Sequence, residues 1–137
     1  MELSLKGKNA IVCASSQGLG KAAAIDLAKE GVNLVICSRD QEKINVVKKE
    51  IEDIAKIEVL AVKADLNSEE DIKNLYMEAK KEFKSIDILI NNNGGPPPST
   101  FEQLNDEDWK KAFNATMLSA IRLSKLVLPE MKNKQWG

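Results

Sequence analysis

The stretch Asn9-Ala-Ile-Val-Cys-Ala-Ser-Ser-Gln-Gly-Leu-Gly20 decides the fold. Its first half is a short apolar run between Gly7 and a Ser-Ser-Gln-Gly turn, which reads as a buried strand. Gly18 to Glu30 is Ala-rich, carries Ile25 and Leu27, and reads as a helix that stops at Gly31. A buried strand leading through small residues straight into a helix is the opening unit of a strand-helix alternation.

The alternation continues along the chain. Asn33 to Cys37 reads as a second strand, and Gln41 to Ile54 as a helix with Ile44, Val47, Ile51 and Ile54 at helical spacing. Glu58 to Lys63 is the third strand. Asn67 or Ser68 caps the next helix, whose first turn is acidic where the helix dipole favours it, and which runs to about Phe83. Ile86 to Asn91 is the fourth strand, and Asn92 to Leu104 is a loop rich in Gly and Pro. Asn105 or Asp106 opens one long last helix reaching about Met131. The pattern predicts an α/β fold: a doubly wound, Rossmann-like parallel sheet with strand order 3-2-1-4 in the part present. Gly18, Asn92 and Gly94 are then expected near one end of the sheet. A buried-type fourth strand would remain an open edge. Residues 1–137 therefore read as the N-terminal part of a single larger domain.

Composition excludes several functions. Lys and Arg total 20 against 21 Asp and Glu, a balance that gives no support for binding nucleic acid or an anionic membrane through bulk charge. Histidine is absent, which removes Ser-His-Asp and Cys-His catalysis. With only two cysteines, Cys13 and Cys37, it also removes nearly every zinc site, and no metal is expected. Both cysteines lie in apolar runs and read as buried, reduced thiols. No apolar run approaches the ~18 residues of a membrane span. Met1 to Lys8 lacks the apolar region of a signal peptide, and a cytoplasmic protein is expected.

The turn Ala14, Ser15, Ser16, Gln17, Gly18, Leu19, Gly20 carries the first chemical signal. Small residues let the backbone approach a diphosphate, and the helix N-terminus behind it supplies donors and a positive dipole. Gly18-Leu-Gly-Lys-Ala-Ala23 matches G-x-G-x-x-A, a weak string that gains weight from the strand before it and the helix after it. The glycines come later after the strand than in the usual dinucleotide fingerprint.

Taken together, these motifs resemble the short-chain dehydrogenase/reductase family, including its 3-oxoacyl thioester reductases and sugar dehydrogenases. Ala14 to Gly20 is similar to the family's TGxxxGxG turn. Asp65-Leu66 resembles its adenine-binding site, and Asn91-Asn-Asn-Gly94 resembles its NNAG motif. Trp109 and Leu123 to Met131 fit the helix that follows. The resemblance runs through the whole chain in order. It implies a nicotinamide cofactor held by Ala14 to Gly20, Ser38, Arg39, Asp65, Leu66, Asn92, Asn93 and Gly94. It also implies hydride exchange with a small carbonyl or alcohol, and a homo-oligomer, dimer or tetramer, built through the last helix.

The departures are as informative. Ala14 stands where the family has its first glycine, and Asn93 replaces the alanine of NNAG. The family's catalytic Asn position, seven residues after Trp109, falls on Thr116. Thr116 is the one catalytic candidate in the chain. Its hydroxyl can donate and accept, and so could hold a water. Asn114, two residues or about 200° away around a helix, is expected to face elsewhere. The family's catalytic Ser and its YxxxK pair belong beyond this chain. Tyr76-Met-Glu-Ala-Lys80 spells YxxxK but precedes the Asn-rich motif. It reads as a surface tyrosine beside a lysine one turn on.

Ser38-Arg39-Asp40 bears on the choice of dinucleotide. An acid at the end of the second strand would hold the ribose hydroxyls of NAD, whereas an Arg would pair with the extra phosphate of NADP. Arg39 comes first and Asp40 is placed to cap the next helix, so NADP(H) is preferred and NAD(H) remains possible. Asp65 has two readings, a cap for the following helix or a partner of adenine. Gly94-Gly-Pro-Pro-Pro-Ser99 is a stiff turn and also a possible wall beside the cofactor. Two further functional readings stay open. One is a non-catalytic dinucleotide-binding or sensor module, which the changes at Ala14 and Thr116 would suit. The other is a methyltransferase, which Asn91 to Gly94 argues against.

Overall fold

The computed structural model describes residues 2–137. Four strands, β1 (Asn9–Val12), β2 (Asn33–Ser38), β3 (Val59–Lys63) and β4 (Ile88–Ile90), form one sheet in the order β3-β2-β1-β4. Every neighbouring pair is parallel, with Val12 opposite Ile36 and Ile90, and Cys37 opposite Val62. The helices α1 (Gly18–Lys29), α2 (Gln41–Ile54) and α3 (Glu69–Phe83) cross between the strands. After β4 come a 3₁₀ turn (Phe101–Gln103), α4 (Asp106–Phe113), a wide π turn (Asn114–Leu118) and α5 (Ser119–Lys134).

The two faces of the sheet are set by the period-two alternation of strand side chains. Ala10, Val12, Leu34 and Ile36 pack on α1 and α2 through Ala24, Ala28, Ile44, Val47 and Ile51. Ile11, Cys13, Val35 and Cys37 face the other way, against Ile72, Leu75 and Ala79 of α3 and Leu123 and Val127 of α5. Both faces are dry, as continuous apolar strands require, and each fully buried Ile or Leu contributes about 1.5–3 kcal/mol of burial. β4 pairs with β1 alone and its three residues are half-buried.

Local chemistry fixes the ends. Asp40 caps α2 by accepting from the Glu42 and Lys43 amides, and Ser68 caps α3 by accepting from Asp71. β1 stops at Val12, short of the Ala14 read from the sequence, because Ala14 turns to a φ of 46° and leaves the extended region. β4 is likewise shorter than Ile86 to Asn91. The long last helix is divided in two by the π turn and continues past Met131 to Lys134. Gln135, at a φ of 54°, ends it, and the Trp136 amide returns to Met131 O at 3.1 Å. Among the described residues no helix is long and apolar enough to cross a membrane.

Candidate functional site

The turn after β1, the ends of β2 and β3, and the loop after β4 meet at the carboxyl end of the sheet. They line a groove of about 1440 Å³. Ala14, Ser16, Gln17, Gly18 and Leu19 form one wall, with Leu19 itself 83% exposed. Ser38 and Arg39 stand at the end of β2, Asp65 and Leu66 beyond β3, and Asn92, Asn93, Gly94 and the three prolines close the far side. The start of α1 faces this space, so its unpaired amides and dipole suit a bound diphosphate.

Two residues of the turn do something else. Ser15 is fully buried and does not line the groove. Its hydroxyl donates to Val12 O at 2.8 Å and accepts from the Cys37 amide at 3.1 Å, while its own amide donates to Cys37 O at 3.0 Å. Ser15 therefore stitches β1 to β2, and the expectation that it contacts cofactor is corrected to a scaffold role. Gly20 is also buried. A Cβ there would lie 2.3 Å from Ala14 O and 2.8 Å from Asn92 Nδ2, so glycine is what lets α1 start this close to the strand ends. Gly18, at a φ of 58°, supplies the left-handed turn into the helix.

Asn92 ties the far wall to this turn, its Nδ2 reaching Cys13 O and Ala14 O at 3.4 Å each. Asp65 accepts from the amide and side chain of Asn67 at 2.9 Å, and its own amide donates to Asp71 at 2.8 Å. It thus builds the loop before α3, while Ser68 does the capping. Asp40 lines the groove beside Arg39, with its Oδ1 accepting from two amides of α2.

Thr116 opens onto a second, smaller cavity of about 280 Å³, which shares Leu66, Asn92 and Asn93 with the groove. Its hydroxyl donates to Ala112 O at 2.7 Å. The proton is thus committed to the helix and the oxygen is left as an acceptor only, which corrects the expectation of a free donor and acceptor. Asn114 was expected to face away from Thr116, and the two line different spaces. Asn114 borders the large groove, donating to Asn67 O and accepting from Arg122, both at 2.9 Å, whereas Thr116 borders the small cavity. Lys43, one helical turn beyond Arg39, also lines the groove and was missed. The i, i+4 spacing from Arg39 was the available signal.

Burial and a hydrogen-bonding contact to Cys37, the contact foremost, push the Cys13 thiol far above its ordinary range, so it stays neutral. Cys13 and Cys37 are free and buried. Tyr76 packs against the α3–α5 core, and Lys80 is paired with Glu130, away from the groove.

A family model described as short chain dehydrogenase matches residues 8–137. The chain belongs to the short chain dehydrogenase family. It is 35% identical over 138 residues to the uncharacterized oxidoreductase YvaG of Bacillus subtilis (strain 168), covering 100% of this chain and 51% of that protein. It is 36% identical over 133 residues to the inactive hydroxysteroid dehydrogenase-like protein 1 of Homo sapiens, covering 96% of this chain and 40% of that protein. L-sorbose reductase from Gluconobacter frateurii, solved with NADPH and L-sorbose, superposes with a TM-score of 0.93 at 28% identity. That match covers 98% of this chain and 51% of the other. The chain thus spans about half the length, or less, of the family members it matches.

Proposed function

We propose that this chain is the N-terminal, cofactor-binding part of a single larger dehydrogenase/reductase domain that prefers NADP(H). The whole protein would exchange hydride between the nicotinamide and a small carbonyl or alcohol, such as a 3-oxoacyl thioester or a sugar. The observation that carries the preference is the contrast between Arg39, which lines the groove, and Asp40, which is partly engaged by α2. Arg39 lines the groove at the end of β2, and Lys43 lines it one turn later. Asp40 spends its Oδ1 on the α2 amides. A phosphate on the ribose meets two cations there, whereas ribose hydroxyls meet a carboxylate with one oxygen already engaged.

The residues present fit the dinucleotide. Ser16 to Leu19 and the start of α1 would hold its diphosphate, Asp65 and Leu66 would flank adenine, and Asn92, Asn93 and Gly94 would border the nicotinamide half. The nicotinamide supplies or takes the hydride. This chain's part is to bind, orient and shield, because Tyr76 and Lys80 are committed elsewhere. Thr116, acceptor-only, is a secondary site residue that would receive a hydrogen bond from a water or a substrate hydroxyl.

A homo-oligomer is part of the proposal. Phe113, Met117, Ile121 and Leu128 are exposed along α4, the π turn and α5. A cytoplasmic setting suits the two free thiols. The non-catalytic module is the second reading. It is favoured by the committed Thr116 hydroxyl and by the similarity to a human protein described as inactive.

The test compares NADPH and NADH binding to the full-length protein, before and after Arg39→Ala. A guanidinium-phosphate pair is worth on the order of 1.5–3 kcal/mol, so NADPH should bind roughly ten- to a hundredfold more weakly in the variant while NADH is little changed. Equal affinities at the outset would overturn the preference. Turnover of a carbonyl panel with NADPH then separates the enzyme from the module.

A further inference from the structure

The π turn that carries Thr116 is held by a side chain from outside the helix. In an ordinary helix the Ser119 amide would bond Ala115 O; here it reaches back five residues to Asn114 O. Ala115 O is met instead by two side chains. One is the Ser119 hydroxyl at 2.6 Å, from within the helix, and the other is Nδ2 of Asn93, from the loop after β4. The other end of the same carboxamide is also occupied, since Asn93 Oδ1 accepts from the Gly94 amide at 2.8 Å. Asn93 therefore spans from the backbone of the groove wall to the backbone of the π turn. It lies in the walls of both the large groove and the small cavity.

Two departures from the family pattern meet at this point. The motif that has alanine at 93 has asparagine at 116, and here 93 is asparagine and 116 is threonine. Thr116 faces the cavity bordered by Asn91, Asn92 and Asn93, but its hydroxyl turns back to Ala112 O and makes no tie to the loop. The carboxamide that meets the π turn here comes from the loop, at Asn93.

We infer that Asn93 is a positioning residue, which fixes the Thr116-bearing π turn against the cofactor groove from the loop side in place of a carboxamide at 116. It touches no reacting atom in this role. It sets where the Thr116 acceptor and the rim of the small cavity stand relative to the groove. The inference rests on the proposed dinucleotide function for its kinetic readout, though not for its structural one.

The experiment uses the full-length protein and four variants: Asn93→Ala, Asn93→Asp, Thr116→Asn, and Asn93→Ala with Thr116→Asn. Asn93→Asp keeps the acceptor for the Gly94 amide and removes the donor to Ala115 O, so it isolates the tie to the π turn. Loss of one such hydrogen bond should lower kcat about tenfold in both position-93 variants, with the KM for NADPH within about twofold of wild type. The double variant, with the carboxamide moved to the helix, should recover most of the lost kcat. Such rescue is something a merely structural role would not produce. Unchanged kcat in both position-93 variants, or no recovery in the double variant, overturns the inference. If wild type turns over no carbonyl with NADPH, the functional reading fails by itself. Amide hydrogen exchange across residues 116–121 then decides the tie: about tenfold faster exchange in Asn93→Asp supports it, and unchanged rates overturn it.

Discussion

Lys80 Nζ donates to both carboxylate oxygens of Glu130, at 2.7 and 2.8 Å across a separation of 50 residues. The same ammonium also reaches Lys84 O, where α3 ends. A lysine with these duties locks α3 to α5 and has no part in proton transfer at the groove. Tyr76→Phe should leave turnover of the full-length protein unchanged. Lys80→Met should cost about 0.5–1 kcal/mol in urea unfolding, the range of a partly exposed ion pair.

Gly20 and Gly94 both lie in family motifs but differ in the room they have. A methyl group at 20 would overlap Ala14 O at 2.3 Å, a backbone atom that cannot swing aside, whereas nothing lies within 4 Å of one at 94. Gly20→Ala should destabilise the fold by about 2–3 kcal/mol and abolish dinucleotide binding, because α1 must back away from the turn. Gly94→Ala should change stability by less than about 0.5 kcal/mol. Chemical unfolding of the two variants side by side checks the contrast.

Ala14 holds a φ of 46°, a left-handed conformation that strains any residue with a Cβ. Replacing it with glycine relieves that strain and costs some unfolded-state entropy. Ala14→Gly should therefore stabilise the protein by about 0.5–1 kcal/mol, read as a rise in thermal midpoint. A fall in midpoint would mean that the turn needs the methyl group.

Asp87 is 5% exposed at the amino end of β4. Burial pushes its carboxyl up, but the Asn9 amide at 2.9 Å, Lys134 at 2.9 Å and the charge of Lys8 together hold it below the ordinary carboxylate range. A depressed folded value means its contribution is complete above the unfolded value near pH ~3.9, and is lost as pH falls through the folded one. Asp87→Asn should cost about 1.5–3 kcal/mol at pH 7 and flatten the acid limb of the stability curve below pH ~4. Equal acid limbs for both proteins would count against this account.

The sheet was readable because each strand is apolar on both faces, and only a parallel sheet covered on both sides satisfies that pattern. Asp40 and Ser68 were readable as caps because their side chains act on amides two or three residues away. What escaped depends on partners distant in sequence. Ser15 looks like any small polar turn residue until Cys37 arrives beside it from β2. The segment from Asn105 or Asp106 to about Met131 read as one uninterrupted helix. The widened turn at Asn114 to Leu118 is stabilised by Asn93 and by Asn67, which lie 22 and 47 residues from their partners. That Asn114 borders the large groove is likewise visible only once Asn67 stands beside it.

The widened turn also sets how this region tolerates insertions and deletions. A π turn takes up one extra residue within a single turn, so the helix on either side keeps its facing. Deleting one residue between Asn114 and Leu118 would close it to an ordinary turn and leave Leu123 and Val127, 1% and 2% exposed, packed on the sheet. A second deletion would have no extra residue to draw on and would rotate both by about 100°, off the sheet. The turn is thus a one-residue reserve of length inside a helix whose phase is otherwise fixed by its buried face.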